Sequence, residues 1–183
     1  MSVLLIRHGL TQGNLEHRYI GCRTDEPLCE AGVEALKRGY YPPVRRVLVS
    51  PMLRCLQTAA ILYPRIQPER VPDFRECDFG RFEGKSYAEL SGDPAYQAWI
   101  DSGGALPFPE GEDRAAFIAR SVRAFESIPD LWQGDTAVIA HGGTLMAIMQ
   151  AYARPKRDYF DYQVKNGQGF RLFGDGSWEN LYF

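Results

Sequence analysis

The chain has 183 residues, 45% of them hydrophobic and 24% charged, with a formal net charge of -2. That length and balance fit one globular domain with a substantial core. The slightly acidic charge argues against a general nucleic-acid binder but allows a local basic pocket, and no apolar run approaches the roughly eighteen residues of a membrane span.

Residues 3–6 are a short, continuous apolar run, the pattern of a buried central strand. Residues 9–28 are polar, carry Gly13, Gly21 and Pro27, and read as a long functional loop with room for a helical turn. Residues 29–40 read as a helix with Val33 and Leu36 toward the sheet, and the Pro42-Pro43 pair stops it. Residues 47–49 are a second strand. Ser50-Pro51 then opens a helix carrying Leu53, Leu56 and Ile61, because a proline in the first turn sacrifices no hydrogen bond. Residues 70–72 form a short strand. Residues 74–84 place Gly80 and Gly84 among aromatic and acidic side chains.

Residues 87–100 read as a helix interrupted at Gly92-Asp93-Pro94, and 102–111 as a Gly/Pro-rich loop. Residues 114–127 show helical period, with Ile118, Val122 and Phe125 on one face. Residues 136–140 are another buried strand, 144–152 the helix behind it, and 169–173 an edge strand. This alternation predicts a single three-layer α/β/α domain over residues 1–178 with a mostly parallel sheet. Residues 179–183, ENLYF, match the start of a viral-protease recognition sequence used to remove expression tags, and read as a tag remnant outside the fold.

The apolar stretch within residues 1–9 is too short for a signal peptide. The four cysteines, Cys22, Cys29, Cys55 and Cys77, lack metal-ligand spacing and read as free thiols of a cytoplasmic protein.

Chemistry concentrates at two of the three histidines. His8 and His141 each follow an apolar strand and precede glycine, so both stand where an α/β sheet presents its reactive groups. Arg7 precedes His8, and Arg54 follows the second strand. Arginine forks match phosphoryl oxygens and stay charged. A neutral imidazole is a competent nucleophile near neutral pH. Gly142 and Gly143 let backbone approach closely at a helix start. A plainer reading makes the histidines satisfied strand-end residues and the arginines ordinary ion-pair partners.

These motifs resemble the histidine phosphatase superfamily, the phosphoglycerate mutase-like proteins. RHG at 7–9 with Thr11 and Asn14 is similar to the family's opening motif. The similarity continues through RYIGCRTDEPLCEAG at 18–32, SPMLRCLQTA at 50–59, ECDFGRFEG at 76–84 and AHGGT at 140–144. The resemblance implies a mixed, mainly parallel sheet flanked by helices and phosphoryl transfer through a phosphohistidine, with no metal and no cofactor. It implies His8 as nucleophile, Arg7, Arg54 and His141 as the phosphate pocket, and Glu76 as proton donor. Asp78, Glu83, Glu16 and Glu110 compete for the last role. Thr11 and Asn14 are either phosphate contacts or loop caps, and Gly142 is a backbone contact. Arg18 and His17 read as rim or surface residues.

Two departures bear on specificity. Leu10 stands where many relatives carry glutamate or glutamine. Between Lys85 and Glu112 the only cation is Lys85, whereas the mutases carry an insertion with further basic residues there. Water is therefore the expected acceptor. The outline looks like the α-ribazole-phosphatase branch and is shared by broad-specificity sugar-phosphate and nucleotide phosphatases. A phosphoglycerate mutase, a phosphoprotein phosphatase and a non-catalytic phosphate-binding module fit the motifs less well. Tyr87, Tyr96, Trp99 and Phe108 form either an aromatic cap over a ring or the packing of a lid. The expected partner is a small phosphomonoester, with neither nucleic acid nor membrane, in a monomer or homodimer.

Overall fold

In the computed structural model, which describes residues 1–181, six strands form one sheet in the order β3-β2-β4-β1-β5-β6. The strands are β1 (Ser2–Arg7), β2 (Arg46–Val49), β3 (Glu69–Arg70), β4 (Thr136–Ala140), β5 (Gly169–Phe173) and β6 (Trp178–Leu181). β1 through β4 pair parallel, while β5 runs antiparallel to both β1 and β6. The sheet is thus mixed and mainly parallel.

The central strands are apolar along their whole length because both faces are covered. Val3 and Leu5 point to one side, where Phe125, Leu145, Ile148 and Met149 pack on them. Leu4 and Ile6 point to the other, against Cys55, Ala59 and Tyr63. The two-residue period of a strand thus divides β1 between two cores. Among the helices, α3 (Leu53–Leu62) lies on the second face, and α6 (Arg114–Glu126) and α7 (Gly142–Tyr152) lie on the first. The result is the expected three-layer α/β/α arrangement.

The short helix α1 (Gln12–Leu15) sits within the polar loop, and α2 (Glu30–Arg38) follows it. The predicted interruption at Gly92-Asp93-Pro94 splits one helix into α4 (Tyr87–Leu90) and α5 (Pro94–Asp101). Asp93 caps the second piece through its carboxylate, and Pro94 takes the first helical position. A third apolar cluster, including Cys77, Phe82, Leu90, Phe108 and Phe117, seats this segment beside the sheet.

Two expectations at the C-terminus are corrected. β5 is not an edge strand, because β6 pairs with it from Gly169↔Leu181 to Leu172↔Trp178. Residues 179–181, read from sequence as lying outside the fold, form most of that strand, with Leu181 buried and Glu179 ion-paired to Arg171 at 2.9 Å. Trp178 packs against the first core and Leu181 against the second, so the strand covers both faces at its two ends, while Glu179 and Asn180 between them are exposed. Residues 182–183 of the ENLYF segment lie outside the described residues. Among the described residues, no helix is long and apolar enough to cross a membrane, and all four cysteines are free thiols.

Candidate active site

Sheet order assembles the site. β2, β4 and β1 are adjacent and parallel, so the residues just past their C-terminal ends (Ser50, His141 and His8) stand side by side. Main-chain bonds fix them there, from His8 N–H to Ala140 O at 2.9 Å and from Ser50 N–H to Ile139 O at 3.0 Å. The two imidazoles meet edge to face, with centroids 5.2 Å apart.

His8 is buried, and its Nδ1 lies 2.7 Å from the Gly9 carbonyl oxygen. A carbonyl can only accept, so Nδ1 carries the proton and Nε2 keeps its lone pair. Burial first, then the nearby Arg54 and Arg7 charges, holds the His8 pKa well below its ordinary value of 6.5. The ring is therefore neutral and aims one basic nitrogen into a cationic pocket.

Arg7 and Arg54 supply that charge. Arg54 is fully buried and donates to main-chain carbonyls, Thr24 O at 2.9 Å and Gly21 O at 3.2 Å. Arg7 donates to Val164 O at 2.8 Å. The Nε atoms of both are buried without a partner, and neither guanidinium forms an ion pair among the described residues. Buried cations without counter-charges are costly. Here Arg54 is fully buried and Arg7 half-buried, and the group that matches both is an anion.

His141 has no exposed surface. Its Nε2 is 2.8 Å from Ser50 Oγ and its Nδ1 is 4.0 Å from Glu76 Oε2. Burial, with Arg54 and then His8 nearby, also holds His141 well below 6.5. Glu76 is buried, and its Oε1 accepts from the Cys77 N–H at 2.9 Å. Burial raises its pKa above 4.5, opposed by that hydrogen bond and by the two arginines. A buried carboxyl with raised pKa can hold a proton that an exposed one would lose.

The competing carboxylates are committed elsewhere. Asp78 pairs with Arg23 at 2.8 Å, Glu83 accepts from Gly21 N–H at 2.9 Å, and Glu16 pairs with Arg18 at 2.7 Å. Glu110 is exposed, at a turn with φ 59°. Arg18 also reaches Glu89 at 2.6 Å, and His17 stacks on Tyr87 with centroids 6.2 Å apart.

Thr11 is the N-cap of α1, with Oγ1 accepting from Asn14 N–H at 3.2 Å and the Asn14 side chain returning the bond. Asn14 also accepts from Asn166 Nδ2 at 2.9 Å. Capping therefore explains both residues' positions. Gly142 opens α7 directly after His141, where first-turn amides have no helical partner. Close packing demands glycine at the next position, since a Cβ on Gly143 would stand 2.9 Å from Phe117 Cε1 and 3.0 Å from Glu76 Oε1.

Several contributors carry no motif of their own. Asn166 donates to His8 O at 3.2 Å, and Thr58 Oγ1 accepts from Gly9 N–H at 2.9 Å, so both clamp the RHG backbone. Tyr159 donates to Gly143 O at 3.2 Å. Ser50 and Thr58 lie within the SPMLRCLQTA block, but Tyr159 and Asn166 come from an aperiodic stretch that offers no pattern to read.

The aromatic residues divide. Phe108 is buried and Tyr96 packs with it, whereas Tyr87 is 56% exposed. Trp99 and Phe108 instead join Tyr19 and Phe79 around a cavity that opens on Glu76.

The chain is 30% identical over 179 residues to the adenosylcobalamin/alpha-ribazole phosphatase of Salmonella typhimurium, covering 91% of this chain and 87% of that one. It is also 30% identical over 162 residues to the 2,3-bisphosphoglycerate-dependent phosphoglycerate mutase 2 of Gloeobacter violaceus, covering 80% and 73%. The crystal structure of the alpha-ribazole phosphatase from Shigella flexneri shares the fold, with a TM-score of 0.82 at 23% identity over 100% of this chain and 95% of that one. Residues 3–175 match the family model of the histidine phosphatase superfamily (branch 1), and the chain belongs to that family.

Proposed function

We propose that the protein is a phosphomonoester hydrolase working through a phosphohistidine on His8, and that its substrate is α-ribazole 5′-phosphate. The observation that carries the chemistry is the His8 ring, neutral and protonated on Nδ1 beside the Gly9 carbonyl, with Nε2 left free near two arginines whose Nε atoms have no partner and which form no ion pair among the described residues.

In the first half-reaction Nε2 attacks phosphorus, and the bond from phosphorus to the ester oxygen breaks. Glu76, protonated, gives its hydrogen to that oxygen and the alcohol leaves. Arg7 and Arg54 neutralise the equatorial oxygens, with a further hydrogen bond from His141 and the Gly142 amide at the start of α7. In the second half-reaction the Glu76 carboxylate takes a proton from water, water oxygen attacks phosphorus, and the N–P bond breaks to restore His8. Thr11 and Asn14 shape the loop that carries Leu10 past the phosphate, and the Thr11 hydroxyl hydrogen is free to reach an outer oxygen. No metal or cofactor is called on.

The substrate assignment draws on the likeness to alpha-ribazole phosphatases and on the poverty of cations in the 85–112 segment. Lys85 is exposed, so a second phosphate or carboxylate would lack partners. Mutase chemistry is accordingly disfavoured despite the likeness to phosphoglycerate mutases.

The test has two arms. Rapid quench with labelled substrate is expected to find an acid-labile phosphoryl group on His8, and His8→Ala to lose several orders of magnitude in turnover. Turnover without an adduct on any histidine would overturn the mechanism. The second arm measures kcat/KM for α-ribazole 5′-phosphate beside 3-phosphoglycerate, fructose bisphosphate, mononucleotides and a phosphotyrosine peptide. α-Ribazole 5′-phosphate is expected to lead. Comparable values for sugar phosphates and nucleotides would leave a broad-specificity phosphatase in its place.

A further inference from the structure

Glu76 stands on an irregular stretch of chain. After the 3₁₀ turn Pro72–Phe74, residues 75–79 belong to neither helix nor strand, so no ladder of backbone bonds fixes where the carboxyl points. We infer that Arg120 of α6 is the positioning residue for this acid, and that with Glu112 it forms a clamp that sets the Glu76 carboxyl for proton transfer. The inference rests on the reading of Glu76 as the proton donor.

The clamp holds the chain on both sides of Glu76. Arg120 Nη1 donates to Asp73 O at 2.6 Å and to Arg75 O at 3.1 Å. Its Nε and Nη2 donate to the two carboxylate oxygens of Glu112 at 2.9 and 2.8 Å, a bidentate fork. Glu112 extends the hold past Glu76. Its main-chain N–H donates to Asp78 O at 2.8 Å, and its Oε2 accepts from Asp78 N–H at 3.4 Å. One guanidinium–carboxylate pair thus ties down residues 73, 75 and 78. Cys22 N–H to Cys77 O at 3.1 Å and Thr144 Oγ1 to Phe74 O at 3.5 Å are further anchors. The Arg120 guanidinium also lies over the Phe117 ring, 5.1 Å from its centroid. Phe117 and Glu76 Oε1 both pack against Gly143, so the same helix turn that bears the clamp borders the acid.

Stability alone does not call for such a pair. Arg120 is buried and Glu112 half-buried, and a buried ion pair gains little over apolar side chains of the same volume. What a planar fork supplies is fixed geometry. A general acid must keep its proton within hydrogen-bond reach of the departing oxygen, and a misplacement of about 1 Å costs on the order of 100-fold. Charge is the lesser part. Burial raises the Glu76 pKa, and Arg120 is the last of the groups opposing it, after the Cys77 N–H, Arg54 and Arg7. Glu112 offsets much of what Arg120 contributes.

The experiment measures kcat/KM for ethyl phosphate, whose alkoxide needs the proton, and for 4-nitrophenyl phosphate, whose phenolate does not. Arg120→Lys keeps the charge and loses the fork. It is expected to lower the ethyl phosphate value about 30-fold and the nitrophenyl value less than about threefold. Added to Glu76→Gln, it is expected to cost less than about a further twofold on ethyl phosphate, because it acts through Glu76. A folded Arg120→Lys that keeps the unmodified ratio of the two substrates overturns the assignment, as does a full further loss on top of Glu76→Gln. Should Arg120→Lys not fold, Glu112→Gln, which keeps the shape and weakens the fork, decides on the same ratio. Glu76→Gln alone reports on the underlying reading. If it treats the two substrates alike, the acid lies elsewhere. If it separates them and the clamp variant does not, the clamp alone is overturned.

Discussion

At the scale of single residues, the site works by denying charge compensation. Arg54 is buried and Arg7 half-buried, each with carbonyls for company, His8 is kept neutral, and Glu76 is pushed toward its protonated form. Each shift moves its residue toward the form that phosphoryl transfer needs. Glu76→Gln is expected to slow hydrolysis of an alkyl phosphate about 100-fold or more, because an alkoxide cannot leave unprotonated. A nitrophenyl phosphate should lose less than about tenfold, since nitrophenolate leaves without help. Equal losses on the two substrates would move the acid role elsewhere. The pH profile follows from the same pair. Protonation of His8 removes the nucleophile only well below pH 6.5, and loss of the Glu76 proton removes the acid above its raised pKa. For alkyl phosphates kcat/KM should therefore fall on the alkaline side, and in Glu76→Gln that limb should flatten.

At the scale of elements, β5 locks the C-terminal segment onto β1 through a close backbone approach. Gly169 pairs with Ile6 on one side and Leu181 on the other. A Cβ there would run into the Leu5 carbonyl oxygen. The clash is with backbone in the middle of a sheet, so no side chain can swing aside. Gly169→Ala is expected to cost about 3 kcal/mol, read as a lower urea midpoint with unchanged slope. A loss under ~1 kcal/mol would mean that the strand shifts to accommodate the methyl group. Continuous apolar runs made β1 and β4 legible from sequence, and helical period made α6 legible, because both patterns record burial against the sheet. β6 was not legible. Two of its residues face solvent and only Leu181 is buried, so its hydrophobic signal is weak and its existence depends on β5 lying alongside.

At the scale of the whole molecule, folding must keep two imidazoles neutral. Below pH 6.5 the unfolded chain binds protons at His8 and His141 that the folded protein refuses, because both folded values are depressed. The unfolded state then holds more protons, so stability rises with pH up to about 6.5 and falls as pH drops below it. Two such groups give up to about 3 kcal/mol per pH unit. Glu76, raised in the fold, opposes this over part of the range with half that slope. Thermal melts from pH 7.5 to 5 should show the decline, and His141→Gln should weaken it. A pH-independent midpoint would mean that the rings are solvated. The charge for a phosphate is already built in as two guanidiniums, so activity is expected to survive exhaustive chelation. A loss restored by Mg²⁺ or Zn²⁺ would overturn that.

Local pattern determined much on its own. It located the strands that end at His8 and His141, the arginines beside them, and the α/β class, because burial periodicity and strand-end glycines are written in neighbouring residues. It left five carboxylates in contention, and tertiary structure alone sets Glu76 at 4.0 Å from His141 while turning Asp78 and Glu16 toward arginines and Glu83 toward backbone amides. It also could not show which His8 nitrogen is free, that Asn166 and Thr58 clamp the RHG backbone, or that Trp99 and Phe108 wall a cavity rather than only fill a lid. For Glu76 with His141, Asn166 with His8 and Thr58 with Gly9 the reason is distance along the chain: these contacts join residues dozens of positions apart, and they exist only because the strand order β2-β4-β1-β5 lays four distant segments along one sheet edge.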